Sequence, residues 1–117
     1  MAYIDGFVIA VETSRKQEFI DHANRIDQLF LEFGAVRVVE AWGDDVPDGT
    51  TTDFRRAVQA KEGETVVFAW IEWPDKATRD GGMAKMRTDA RMTEEKMPFD
   101  GKRMIFGGFA PILTLGR

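Results

Sequence analysis

Two glutamates lie within strongly strand-like segments and are candidates for proton transfer. Alternation along each segment places Glu40 on the same face as Trp42, and Glu72 on the same face as Trp70. A carboxyl group buried among such side chains loses its hydration, so its pKa rises and it can act as a general base. The alternative is that either glutamate lies at an open strand end or pairs with Arg37 or Arg103.

Aromatic side chains and one histidine could form the walls of a cavity around such a base. The aromatic candidates are Trp42, Phe68, Trp70 and Phe106, and His22 lies at the edge of an apolar helical stripe. Ligand pockets are mostly apolar with a few polar groups, which this set would provide. Aromatic residues at alternating strand positions also form cores or dimer interfaces, and a lone histidine can be purely structural.

Two charged loops offer further candidates. Arg103 follows an Asp-Gly turn and could anchor an anionic substrate, or it could pair with Asp44 or Asp45 and hold two loops together. Asp44, Asp45 and Asp48 could offer oxygen ligands to calcium or magnesium, but their spacing lacks the ligand alternation and terminal glutamate of an EF-hand. Aspartate, glycine and proline are also typical turn residues, so we predict a structural loop and no metal site.

Composition excludes several classes of function. The 117 residues suit a single domain, 1–117, and 44% hydrophobic with 31% charged residues is ordinary for a globular protein. The net charge of −4 and the scattered basic residues argue against nucleic-acid binding. The chain has no cysteine and one histidine, which excludes disulfides, thiolate metal sites and cysteine nucleophiles. Without a signal-peptide pattern or an apolar run of about 20 residues, we expect a cytoplasmic protein that does not enter membranes.

The elements that would position these candidates follow from periodicity. We predict a strand over residues 3–11, a helix from Ser14 to about Gly34 and a second strand over 35–42. Gln17 follows Ser14 at the spacing of a capping box, and Gly34 suits a left-handed helix end. The apolar stripe of this helix consists of Phe19, Ala23, Ile26, Phe30 and Phe33.

The second half of the chain repeats the pattern. We predict a third strand over residues 64–73, followed by a helix that Pro74 and Asp75 open. Gly81-Gly82 weakens this helix, whose apolar stripe is formed by Met83, Met86 and Ala90. The last strand or strands lie within residues 102–115, where Gly107-Gly108 predicts a bulge or kink.

The resulting order β-α-β-β-α-β predicts an α+β, ferredoxin-like fold, an antiparallel sheet with two helices on one face. Two helices cover only that face, so the other would expose Phe68, Trp70 and Trp42 or the residues that alternate with them. Monomeric proteins rarely expose an apolar patch of this extent. We therefore predict a homodimer in which two sheets pack face to face into a dimeric α/β barrel.

Three motifs resemble the YbaA-like family of small bacterial proteins, a domain of unknown function. They are Tyr3-Ile4-Asp5-Gly6-Phe7, Gly43-Asp44-Asp45-Val46-Pro47-Asp48-Gly49, and Met97-Pro98-Phe99-Asp100-Gly101-Lys102-Arg103-Met104-Ile105 followed by Gly107-Gly108-Phe109. The segment Glu64-Thr65-Val66-Val67-Phe68-Ala69-Trp70 also fits, so the resemblance covers nearly the whole chain.

The resemblance implies a dimeric α/β-barrel fold and carries over no catalytic residues. The wider superfamily is similar in fold to cofactor-free monooxygenases, haem-degrading enzymes, muconolactone isomerases and chlorite dismutases. In related barrels a helix histidine such as His22 can ligate haem or act as a base. Because one fold serves many functions, the resemblance alone assigns none.

Two hypotheses of function follow. In the first, the chain is a small-molecule-binding protein or a cofactor-independent enzyme that abstracts a proton from, or oxygenates, a small organic substrate in the barrel cavity. Glu40 or Glu72 would be the base, Arg103 the anion anchor, and Trp42 and Trp70 the walls. In the alternative, the chain is a non-catalytic homodimeric module with a filled barrel. The only partner predicted beyond a small ligand is a second copy of the chain.

Overall fold

A computed structural model describes residues 1–116 of the chain. The described residues form four strands and four α-helices. A short 3-10 turn at Thr13–Arg15 precedes the first helix. The strands are β1 Tyr3–Glu12, β2 Arg37–Trp42, β3 Glu64–Trp73 and β4 Ile105–Phe109. The helices are α1 Lys16–Glu32, α2 Phe54–Ala57, α3 Lys76–Thr88 and α4 Ala90–Thr93. No helix in residues 1–116 has the length and apolar character needed to cross a membrane.

The four strands form one antiparallel sheet in the order β2-β3-β1-β4. This order and the succession of elements confirm the predicted ferredoxin-like fold. The sheet of a single chain is open, with β2 and β4 as its edges, and does not close into a barrel. The observed bounds of β3 are those predicted from its apolar run.

Helix α1 packs on the face of the sheet that we call the helix side. Phe19 and Ala23 of α1 contact Ile9 and Val11 of β1, and Val67 and Ala69 of β3, in one buried cluster. A second cluster joins Ile26 and Leu29 of α1 to Met86 of α3. The predicted stripe is therefore confirmed at its centre, and it also includes the buried residues His22 and Leu29.

The predicted start of α1 is wrong, whereas its predicted end is right. The chain first makes a 3-10 turn, and α1 then begins without any side-chain hydrogen bond at its first turn, so Ser14 and Gln17 form no capping box. At the other end, Gly34 has φ of 113°, a left-handed conformation that glycine adopts without strain.

Helix α3 is continuous through its two glycines. One of them is required for the packing of the helix. Asp75 caps the first turn by accepting a hydrogen bond from the Thr78 backbone N–H at 2.7 Å. A Cβ atom at Gly82 would lie 2.7 Å from the Trp73 ring and 3.0 Å from the Phe33 carbonyl oxygen. Glycine therefore lets α3 lie directly against β3.

The predicted bulge at Gly107-Gly108 is wrong. Strand β4 pairs residue for residue with β1, from Val8 opposite Ile105 to Ile4 opposite Phe109. A Cβ atom at Gly108 would meet the Tyr3 hydroxyl and the Arg79 guanidinium, so a side chain there would have to displace both groups.

The second face of the sheet, which we call the open face, is covered only in part. The segment after the acidic loop forms α2 and then places Val58, fully buried, against Val8, Ala10 and Val66. Phe54 of α2 packs edge-on against Phe68, with ring centroids 5.9 Å apart. This cover was not predicted, and the rest of the open face is not covered by any other segment of residues 1–116.

Candidate active site between helix α1 and the sheet

A cavity of about 120 Å³ lies between the helices and the helix side of the sheet. Its walls are mostly apolar, and three titratable side chains line it: His22, Asp27 and Glu40. The segment that follows α3 contributes flexible and aromatic side chains to the lining, namely Met92, Met97, Phe99 and Met104. An apolar cavity with a few convergent polar groups is the usual form of a small-molecule site.

Asp27 of α1 and Glu40 of β2 both line this cavity, and their carboxyl groups interact with each other. Partial burial of the Glu40 carboxyl raises its pKa to about 9, and the neighbouring Asp27 carboxyl adds to this rise. Burial also raises the pKa of Asp27, although its interaction with Glu40 opposes the rise. Two adjacent carboxyls cannot both ionise easily, so at neutral pH the pair holds a proton between them.

The carboxyl pair stands where the cavity meets a wider groove. This groove has a volume of about 530 Å³ and runs between α1 and the edge strand β2. Asp27, Glu40 and Val38 line both the groove and the cavity. Glu40 keeps an exposed surface on its edge strand while its carboxyl faces Asp27, so a ligand entering along the groove would meet the pair first.

His22 is buried at the wall of the cavity and is held by a carboxylate that is distant in sequence. Its Nδ1 atom lies 2.7 Å from Oε2 of Glu95, and Nη2 of Arg25 donates to the same oxygen at 2.8 Å. The Arg25 bond, and then the His22 bond, hold the pKa of Glu95 below its usual value. The ring also packs edge-on against Phe99 at 5.9 Å between centroids.

The two predicted glutamates lie on opposite faces of the sheet. Glu72 is on the open face, where its Oε2 accepts hydrogen bonds from Trp70 Nε1 at 2.9 Å and from Arg37 Nε at 2.8 Å. The indole bond, and then the Arg37 guanidinium, hold the pKa of Glu72 below its usual range. The structure thus brings Glu40, but not Glu72, together with His22.

Arg103 holds loops together at a distance from this cavity. Its guanidinium makes two bonds of 2.8 Å to the Glu64 carboxylate and further bonds to Asp100 Oδ2 and the Gln59 carbonyl. The arginine lowers the pKa of Glu64 to about 2. Its partners are therefore Glu64 and Asp100, not the acidic-loop residue Asp44 or its neighbour.

The predicted aromatic residues are divided between two grooves, because Phe68, Trp70 and Phe106 line the groove of the open face and Trp42 lines the groove beside α1. Trp42 lies on the helix side, 6.5 Å from Phe19 between ring centroids, and lines the groove. The tilted rings of Phe68 and Trp70 are in contact on the open face, with centroids 5.7 Å apart. Phe106 is 71% exposed and stacks on Phe7 at the other edge of the sheet. These residues do not surround a single cavity.

The acidic loop is exposed at Asp44, Asp45 and Asp48. Its polar continuation is structural, since Asp53 accepts hydrogen bonds from the backbone N–H groups of Gly49 and Arg56 and so caps α2. Among residues 1–116, no three metal-ligating side chains come together in a group that could hold an ion.

Two residues of the site, Asp27 and Glu95, were not predicted from the sequence. Asp27 occupies the position four residues after Ala23 and three before Phe30, so a polar residue inside the apolar stripe was the available signal. Glu95 lies 73 residues from His22 in the chain, and nothing in the local sequence connects the two.

Comparisons with known proteins identify relatives and the fold. A family model described as "Protein of unknown function (DUF1428)" matches residues 2–101. The chain is 56% identical over 115 residues to the uncharacterised protein YbaA of Escherichia coli K12 and to that of Shigella flexneri, covering 97% of this chain and 98% of each. It is similar in structure, with a TM-score of 0.60 and 11% identity, to a dimeric ferredoxin-like protein from an uncultured marine organism, covering 98% and 100% of the two chains.

Proposed function

Because the chain belongs to the DUF1428 family of proteins of unknown function, we propose its function from the geometry of its cavity. The protein binds a small organic molecule there and acts as a cofactor-independent enzyme that exchanges a proton with it. The observation that carries this proposal is the Asp27–Glu40 pair, two carboxyls that line the same apolar cavity and interact there.

The electrostatic environment supports Glu40 as the proton-exchanging group. A general acid or base works best when its pKa lies near the working pH, and burial beside Asp27 moves the pKa of Glu40 in that direction. Glu72, held ionised by Trp70 and Arg37, is a weaker base and faces away from the cavity. Glu40 alone is therefore retained as the candidate.

An NMR titration with a library of small neutral ring compounds tests this proposal. We expect binders to shift the backbone amides of Phe19, Ala23 and Val38, which line the cavity. Glu40→Gln should weaken polar binders by about tenfold or more, the value of a hydrogen bond to such a carboxyl. Glu72→Gln, the same change on the opposite face, is the matched control and should leave binding unchanged. Equal effects of both variants, or shifts confined to the open face, contradict the proposal.

A second proposal concerns assembly: the open face pairs with the open face of a second copy. A groove of about 570 Å³ crosses this face, lined by apolar side chains of β1, β3 and β4. Phe68, Ile105 and Phe109 on it are 45%, 44% and 61% exposed, more apolar surface than a monomer usually presents in one place. The exposed residues Ile112 and Leu113 lie shortly after the end of β4 and would extend the contact.

Two further points favour a second copy as the occupant of the open face. The solved structure of similar fold is described as dimeric. Two such faces placed together would bury each other's aromatic residues and complete a barrel from two sheets. The non-catalytic module remains the competing function, and it would need only this assembly and no ligand in the cavity.

Light scattering coupled to size exclusion tests the assembly. We expect a dimer for the natural chain and a shift towards monomer for Phe68→Glu, which places a charge in the middle of the apolar face. Ile20→Glu is the control, because Ile20 on α1 is exposed to the same extent, 45%, but lies outside that face. A monomeric natural chain, or equal dissociation by both variants, refutes the face-to-face dimer.

A further inference from the structure

The cavity contains a second group able to carry a proton, and its environment fixes which ring atom does so. The Glu95 carboxylate is ionised and can only accept hydrogen bonds, so the Nδ1 atom of His22 at 2.7 Å must carry the hydrogen. In the neutral imidazole this leaves Nε2 with a free lone pair. Within residues 1–116 no protein atom hydrogen-bonds Nε2, and His22 lines the cavity.

His22 is oriented by a carboxylate in the same way as the histidine base of a hydrolytic triad, although no nucleophile is involved. Arg25 holds Glu95, Glu95 orients the imidazole, and Phe19 and Phe99 pack against the ring. A base oriented by a carboxylate presents one nitrogen in one direction and stabilises the imidazolium that forms. The geometry is thus that of a positioned proton acceptor.

We propose that His22, positioned by Glu95, and the Asp27–Glu40 pair are the two proton-exchange groups of a single reaction: the enolisation of a compact, uncharged carbonyl compound. This inference rests on the proposed function and deepens it by naming the second group and the class of substrate. His22 and Glu40 would act as catalytic residues, while Glu95 is a positioning residue.

The lining selects the substrate by charge and by size. The titratable side chains that line the cavity are two carboxyls and one imidazole, with no lysine or arginine among the lining residues, so an anionic substrate has no partner there. A cavity of about 150 Å³ accepts benzene in an engineered protein. The volume of about 120 Å³ therefore suits a ring of five or so atoms, or a branched chain of similar size.

These residues supply and accept every proton that is transferred in the reaction. His22 Nε2 takes a proton from the carbon next to the carbonyl, and the C–H electron pair becomes the new C=C bond. The π pair of the carbonyl moves onto its oxygen, which receives the proton held by the carboxyl pair. The product is the enol, with His22 protonated and the pair ionised. Return of a proton to the same carbon restores the ketone, and its return to the far carbon of an unsaturated ketone shifts the double bond.

Deuterium incorporation into cyclopentanone provides the test. The full-length protein is incubated with the ketone in deuterium oxide, and loss of the α-proton signal is followed by NMR. We expect the natural chain to accelerate exchange, and His22→Gln to reduce that acceleration by roughly 100-fold or more. Glu95→Gln should reduce it on the order of 10- to 100-fold, while Glu72→Gln should exchange like the natural chain.

A spectroscopic measurement separates positioning from a merely structural role for Glu95. Nitrogen NMR of the His22 ring should report Nδ1 as the protonated nitrogen in the natural chain. In Glu95→Gln the amide no longer compels this tautomer, so the Nε2-protonated form should gain population while the fold, checked by circular dichroism, is retained. An unchanged tautomer in that variant overturns the role given to Glu95.

The outcomes distinguish this inference from the function on which it rests. If cyclopentanone shifts no amide of the cavity lining, both the site and the substrate class are wrong. If it binds in the cavity without accelerated exchange, or if His22→Gln exchanges as fast as the natural chain, the binding site stands and the enolisation is refuted. Should His22→Gln fail to fold, Glu95→Gln decides the matter by the same two readouts.

Discussion

Two carboxyl sites lie on the helix side of the same sheet, and they differ in what surrounds them. On the inner strand β1, Asp5 is 2% exposed and meets three N–H donors of two side chains. On the edge strand β2, Glu40 meets another carboxyl, that of Asp27, and opens towards a groove. The first site neutralises its charge within the fold, whereas the second keeps a proton that a ligand can reach.

The Asp5 site is explained by stability alone. Trp73 Nε1 donates to Asp5 Oδ2 at 2.9 Å, and Arg79 donates to both carboxylate oxygens at 2.8 to 3.2 Å. The guanidinium also lies over the Tyr3 ring, 5.1 Å from its centroid. Together these contacts join α3 to β1 and β3. No group is left over for a ligand, which is what separates this cluster from the carboxyl pair.

The largest expected effect comes from breaking the paired site. Arg79→Met leaves the Asp5 carboxylate buried with only the Trp73 indole as a partner, and removing one member of a buried ion pair costs about 3–5 kcal/mol. Urea unfolding followed by tryptophan fluorescence would measure this loss in the free energy of unfolding.

The same helix supplies a control for that measurement. Lys76 pairs with Asp80 at 2.8 Å, but its side chain is 62% exposed and water screens the pair, so Lys76→Met should cost far less than Arg79→Met. If Arg79→Met and Lys76→Met lose equal stability, the Asp5 site is not the buried, fully paired cluster described above.

The next largest effect concerns the direction in which stability changes with pH. Because the folded-state pKa of Glu40 lies above its unfolded value, the native state binds more protons, and this group's contribution to stability is lost as pH rises from about 5 to about 9. Glu40→Gln removes that loss, so its melting temperature relative to the natural chain should increase steadily over this range.

Asp27 and His22 also line the cavity beside Glu40, and their own titration has to be separated from that of Glu40. Asp27→Asn should flatten the pH dependence in the same direction, since it removes the carboxyl neighbour that disfavours ionisation of Glu40. A difference between the natural chain and Glu40→Gln that stays constant from pH 5 to pH 9 would show that Glu40 is ionised throughout.

Most of the fold was predictable from the sequence because its signals are local. The ten residues of β3, the stripe on α1 and the left-handed Gly34 each follow from periodicity or backbone sterics. The errors arose where tertiary packing decides. Gly82 was interpreted only as weakening its helix, whereas the Trp73 ring leaves no space for a side chain there, and the bulge predicted at Gly107-Gly108 is replaced by regular pairing with β1.

The candidate site was predictable only in part, because its contacts join distant parts of the chain. Alternation placed Glu40 and Glu72 correctly on strands, but it could not say which face α1 would cover. It therefore gave both glutamates the same role. Pairing of Glu95 with His22 depends on where the segment after α3 returns to α1, and no short-range pattern encodes that.

The smallest effect provides the sharpest contrast between the two glutamates. Glu72→Gln keeps an oxygen that can accept from Trp70 and loses only the charge facing Arg37, whose side chain is 62% exposed, so the cost at neutral pH should stay below about 1 kcal/mol. The folded-state pKa of Glu72 is lowered, so its contribution is present above its unfolded pKa and disappears as the solution is acidified. Thermal unfolding from pH 4 to pH 9 should therefore show Glu72→Gln approaching the natural chain at low pH, while Glu40→Gln approaches it near pH 5 and departs at high pH. Parallel profiles for the two variants would mean that the folded-state pKa values of Glu40 and Glu72 are shifted in the same way. Glu40 would then be no better a candidate for the proton-exchanging group than Glu72.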